Sequence, residues 1–139
     1  MTIIEAIRDF LKGCPILEGE RLNIDFLPED VASYSIDVTP VNPIVKRYIC
    51  GGSLRQFAFT FATRAYYGEQ LRQQIDNLGL FETFADWIEA RNAARDYPDL
   101  GENRTVTKLE VTTSGYVFAP ETDTARYQIQ LRLLYEQDV

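Results

Sequence analysis

The sequence predicts an α+β fold: an antiparallel β-sheet packed on one face by an N-terminal helix and a long central helical region, in one domain over residues 1–139. Three observations predict it. The chain closes on a long alternation, with Ala125, Tyr127, Ile129, Leu131, Leu133 and Tyr135 at odd positions. Arg126, Gln128, Gln130 and Arg132 lie between them, and only Leu134 breaks the pattern. That is a strand with one buried and one polar face. From Glu69 the apolar period changes from 2 to 3.6. The remaining β-rich runs cluster before and after that helical stretch, which suits strands paired in an antiparallel sheet.

Taken in order, Thr2 with Glu5 three residues on is a capping-box signal. Ile3, Ile7 and Leu11, with Ile4 and Phe10 beside them, form one helical stripe of about three turns. Gly13 suits its C-terminal cap and Pro15 forbids continuation. Leu22, Ile24 and Phe26 make a short strand ended by Pro28. Tyr34, Ile36 and Val38 make a second, stopped at Pro40. Pro40-Val41-Asn42-Pro43 reads as a stiff connector, for a PxxP match this short is weak.

Ile44 to Cys50 and Ser53 to Thr63 flank Gly51-Gly52, a hairpin signal. Phe57, Phe59 and Phe61 share one face of the second arm. They could stack bases, but in an acidic chain core packing is the better reading. Leu71, Ile75 and Leu78, then Leu80, Phe81, Phe84, Trp87 and Ile88, predict two helices, or one broken at Gly79, running to about Arg95. Glu82, Asp86 and Glu89 on the other side read as a solvated helix face rather than a metal or acid–base row. Thr105 to Phe118 is β-rich, with a bulge or bend expected at Ser114-Gly115. Ala119 to Asp123 turns the chain into the last strand, closing a long hairpin.

Composition narrows the function. A net charge of −7 argues against a nucleic-acid grip, which requires clustered cations. No stretch of about 18 apolar residues offers a membrane span, and no basic end followed by a greasy run reads as a secretory signal. Cys14 and Cys50 lie far apart and read as reduced structural thiols. The chain has no histidine, so the commonest general base and metal ligand is missing. Phosphate-loop, dinucleotide and nucleophile-elbow motifs do not occur. Cys50 beside two glycines has no nameable base, and Glu29-Asp30 is an acidic pair expected by chance. No catalytic, cofactor-binding or metal-ligating residue is predicted, and the expectation is a protein that presents surfaces rather than an enzyme.

The candidate surface is the polar side of the last hairpin. Arg126, Gln128, Gln130 and Arg132 stand in a row, with Lys108 and Glu110 on the partner strand. Long polar side chains there can pair across strands or contact another subunit. A plain solvated face that resists aggregation is the competing reading.

Several phrases resemble a family of minor capsid or minor tail proteins of phages and prophages of Gram-positive bacteria. They are Ile3-Ile4-Glu5-Ala6-Ile7-Arg8, Leu22-Asn23-Ile24-Asp25-Phe26-Leu27 and Gly51-Gly52-Ser53-Leu54-Arg55-Gln56-Phe57. Leu109-Glu110, Ser114-Gly115-Tyr116-Val117-Phe118 and Asp123-Thr124-Ala125-Arg126-Tyr127-Gln128-Ile129-Gln130 complete the set. The element order is similar to the tail terminators of long-tailed phages. The resemblance implies a structural virion component at the head–tail junction, assembled in the bacterial host cytoplasm. It implies a homo-oligomeric ring, usually a hexamer, that caps the tail tube and meets a head-completion or neck protein, with no cofactor. Another neck or minor capsid role stays open, as does a small-molecule-binding module or enzyme. A chloramphenicol-resistance label, attached to some relatives, is unsupported by these residues because acetyl transfer calls for an activated base.

Overall fold

The computed structural model describes residues 2–17, 21–25, 27, 33–66, 71–120 and 124–139, with backbone alone at 33, 65–66, 71–78, 118–120 and 124. The expected strand end at Pro28, the pair Glu29-Asp30, the helix start at Glu69 and the turn at 121–123 lie outside the described residues. So does the side-chain stripe of Leu71, Ile75 and Leu78.

Helix α1 spans Ile3–Leu11. Thr2 is its N-cap, accepting the Glu5 backbone N–H at 3.3 Å. The Thr2 hydroxyl in turn donates to Glu5 Oε1 at 3.1 Å, so the two residues close the first turn together. Ala6, Ile7 and Leu11 carry its buried stripe. A short turn of 3-10 helix, Pro15–Leu17, follows.

Among the described residues, seven strands then form one sheet: β1 Leu22–Ile24, β2 Ser33–Thr39, β3 Ile44–Arg47, β4 Ser53–Tyr66, β5 Arg104–Val111, β6 Tyr116–Pro120 and β7 Thr124–Gln137. Helix α2, Leu71–Ala93, lies between β4 and β5 in the chain. The sheet order is β1-β2-β4-β7-β5, with β3 also on β4 and β6 also on β7. The spine is the 14-residue antiparallel pair β4–β7, in register from Ser53↔Gln137 to Tyr66↔Thr124.

This overturns the expected antiparallel sheet packed by a long central helical region. The sheet is mixed, because β1 runs parallel to β2 with Leu22 opposite Tyr34. Alternation reports which face a residue takes and is blind to strand direction. Strand also outweighs helix among the described residues. The central helix is a single segment that does not break at Gly79, where an added Cβ would meet open space. Its fully buried described side chains are Phe81, Phe84 and Ile88 alone, one narrow stripe. Among the described residues the core is therefore built mainly by the sheet.

That core lies on the odd face of β7. Tyr127, Ile129, Leu131 and Leu133 are buried there with Phe59 and Phe61 of β4. Phe61 stacks on Phe84 at 4.4 Å between centroids and meets Phe81 edge-on at 6.2 Å. Phe10 of α1 meets Trp87 of α2 at 5.3 Å, joining the two helices over the same face. The phenylalanines are thus packing groups, although Phe57 is only partly buried.

The predicted β3–β4 hairpin forms, with a longer loop than a two-glycine join. β3 ends at Arg47, which pairs with Ser53, and Tyr48 to Gly52 make the tip. Gly52 O accepts the Tyr48 N–H at 2.9 Å and Tyr48 O accepts the Gly51 N–H at 3.0 Å. Gly51 has φ +101°, a left-handed conformation that favours glycine. The expected break at Ser114-Gly115 separates β5 from β6, and both strands pair with β7. Gly115 is needed for close approach: a Cβ there would lie 2.6 Å from the Phe81 Cβ.

Candidate functional site

The even positions of β7 face away from the core, and from Gln128 to Arg132 their neighbours on β4 are small. Ala58 pairs with Arg132, Thr60 with Gln130 and Ala62 with Gln128. Small residues on the central strand leave room for the long side chains of β7 to lie across the sheet. Ala62 itself is fully covered.

The polar row is not a set of separate solvated groups. Arg126 forms an ion pair with Asp37 of β2, reaching across β4. Asp37 also accepts from the Ser35 hydroxyl at 2.7 Å. Arg126 Nε donates to Gln128 Oε1 at 2.9 Å. Because arginine has no acceptor, this contact fixes the amide orientation of Gln128. Its Nε2 then donates to the Tyr116 hydroxyl at 2.6 Å, and Gln130 Nε2 donates to the same oxygen at 2.9 Å. Gln128 is only 6% exposed, so the network is partly buried although it lies opposite the core.

The second half of the face centres on Glu110 of β5, which sits opposite Arg132 in the ladder. Arg132 Nε donates to Glu110 Oε1 at 2.7 Å, and Lys108 Nζ approaches Glu110 Oε2 at 2.9 Å. Arg132 also donates to Gln56 Oε1 at 3.5 Å. The Lys108 hydrogen bond, aided by Arg132 and opposed by burial, holds the Glu110 carboxyl below the usual carboxylate value. A carboxylate held down in this way stays ionised at neutral pH and is a poor proton donor there. Of the two thiols, Cys50 is exposed, while Cys14 is buried and its burial raises its pKa.

All six sequence-predicted residues therefore lie on one face. The structure joins Arg126, Gln128 and Gln130 through Tyr116, and Lys108, Glu110 and Arg132 through the carboxylate of Glu110. Asp37, Tyr116 and Gln56 are the partners that sequence reasoning missed. The alternation of Tyr34, Ile36 and Val38 does put Asp37 on a polar face, yet nothing in spacing pairs it with a residue 89 positions away.

Two further features border this face. Where α2 meets β5, Ala85, Ile88, Glu89, Asn92, Lys108, Glu110 and Val111 line an open cleft of about 330 Å³. The Asn92 carboxamide seals the β5 edge there: its oxygen accepts the Leu109 N–H at 3.0 Å and its nitrogen donates to the Leu109 carbonyl. On the other flank, the Tyr48–Gly52 tip presents Ile49 fully exposed. The acidic residues Glu82, Asp86 and Glu89 are exposed on α2.

Among the described residues, no helix is long and apolar enough to cross a membrane. No protein-family model and no curated protein matches the chain.

Proposed function

We propose that this chain is a structural virion protein at a phage head–tail junction, a tail terminator that caps the tail tube as an oligomeric ring. The observation that carries the reading is the braced polar face. Its charges and amides are held by one another across β2, β4, β7, β6 and β5 before any partner arrives. A surface ordered in advance loses little side-chain entropy on docking, which suits repeated contacts between identical copies. The family-like phrases of the sequence support the same role. The net charge of −7 suits a ring through which DNA passes without adhering.

The test is deletion of the gene in its phage, followed by electron microscopy. Headless tails of uncontrolled length are expected. Tails of normal length that fail to join heads would assign the chain to another neck component. Normal virions would overturn the proposal. A second reading, a small-molecule-binding module, is favoured by the α2–β5 cleft, whose volume of about 330 Å³ is at the lower end for ligand pockets. Stoichiometric, saturable binding of a metabolite in calorimetry would support it.

A further inference from the structure

We infer that copies of this chain join head to tail, the hairpin tip of one copy seating Ile49 in the α2–β5 cleft of the next. The inference deepens the ring reading above and rests on it.

Ile49 is fully exposed at the end of a turn closed by backbone bonds of Tyr48, Gly51 and Gly52, with the Tyr48 hydroxyl also donating to Glu136 Oε1 at 3.4 Å. The turn does not require an isoleucine there, and polar residues are the usual choice at such a position. One exposed apolar residue means little by itself. Here Val45, on the same hairpin, is also well exposed. The cleft offers matching chemistry, with Ala85, Ile88 and Val111 in its lining.

Charge argues for a second copy as the occupant. Lys46 and Arg47 are exposed on β3, directly before the tip. Glu82, Asp86 and Glu89 are exposed along α2, and Glu89 itself lines the cleft. The one cation among the described lining residues, Lys108, is already paired with Glu110 at 2.9 Å. A basic arm with an apolar tip thus faces, on the next copy, an acidic helix beside an apolar cleft.

Topology sets the direction. β3 pairs with β4 on the side away from β7, while β5 pairs on the far side of β7. Donor and acceptor are therefore on opposite flanks of the sheet. Such a contact is heterologous, leaving a free tip and a free cleft after every addition, and it closes a ring if the rotation per copy allows.

The experiment uses the full chain. Glu89→Cys puts a thiol at the cleft, and the native exposed Cys50 beside Ile49 is its partner across the contact. Mild oxidation at high protein concentration should give a ladder of dimers, trimers and larger species on a non-reducing gel. Ile49→Asp or Cys50→Ser, each combined with Glu89→Cys, should abolish bands above the dimer. Since Ile49 is fully exposed, Ile49→Asp should leave the melting temperature of the monomer unchanged. In sedimentation it should weaken self-association by about tenfold or more. Absence of bands above the dimer from Glu89→Cys would overturn the inference. Oligomers that persist unchanged in Ile49→Asp would overturn the contact and leave the ring standing. Normal virions after gene deletion would remove the ring whatever the gel shows.

Discussion

Tyr116→Phe removes one oxygen and keeps the ring. That oxygen accepts from Gln128 Nε2 at 2.6 Å and from Gln130 Nε2 at 2.9 Å. Gln130 is half-buried and can turn its amide toward water. Gln128 is 6% exposed, with its Oε1 held by Arg126, so its amino group has no free route to solvent. Leaving a buried donor unsatisfied costs about 1–3 kcal/mol, and the one trapped amide places the expected loss near 2 kcal/mol. That corresponds to about a thirtyfold fall in the folded-to-unfolded ratio. Urea titration followed by tryptophan fluorescence should show a lower midpoint with an unchanged slope. A double-mutant cycle with Gln128→Ala should give a coupling of about 0.5–3 kcal/mol. A loss within about 0.5 kcal/mol, the range of ordinary surface changes, would refute the argument that this face is a braced network. Additive single changes would refute it equally.

Three other perturbations address separate elements. Gly115→Ala sets a methyl 2.6 Å from the Phe81 Cβ and 2.7 Å from its ring carbons, and overpacking there should cost about 1–3 kcal/mol in the same urea assay. Asn92→Ala should destabilise by about 1–3 kcal/mol and raise light scattering on storage, whereas Asn92→Asp should retain the bond from the Leu109 N–H. Glu110 has a folded-state pKa below its ordinary value near 4.5, so its contribution is complete above that value and is lost as pH falls through the lower folded one. Stability measured from neutral pH into acid should therefore show the wild type losing its advantage over Glu110→Gln across that window, and a constant difference would refute the assignment.

The parts that sequence revealed share a physical basis. β7 was legible because a strand with one polar and one apolar face must alternate, and its odd residues from Ala125 to Tyr135 are all buried, although Gln128 of the polar face is covered too. α1 was legible because its cap and stripe are local. The parallel pairing of β1 with β2 was hidden, since two short alternating runs look the same in either direction. The continuity of α2 through Gly79 was hidden too, because a glycine facing open space costs only about 1 kcal/mol against alanine and neighbouring turns can absorb it. The polar row was visible as a row. Its bracing was not, because Arg126 meets Asp37 through a strand order that no spacing encodes.

The carboxamide of Asn92 acts as a surrogate strand one residue long, occupying at Leu109 the place a neighbour's main chain would take. An open sheet flank presents unpaired N–H and C=O groups and invites uncontrolled zippering of sheet to sheet. Stoppering that flank leaves any contact there to side chains, which discriminate among surfaces where a bare strand edge does not.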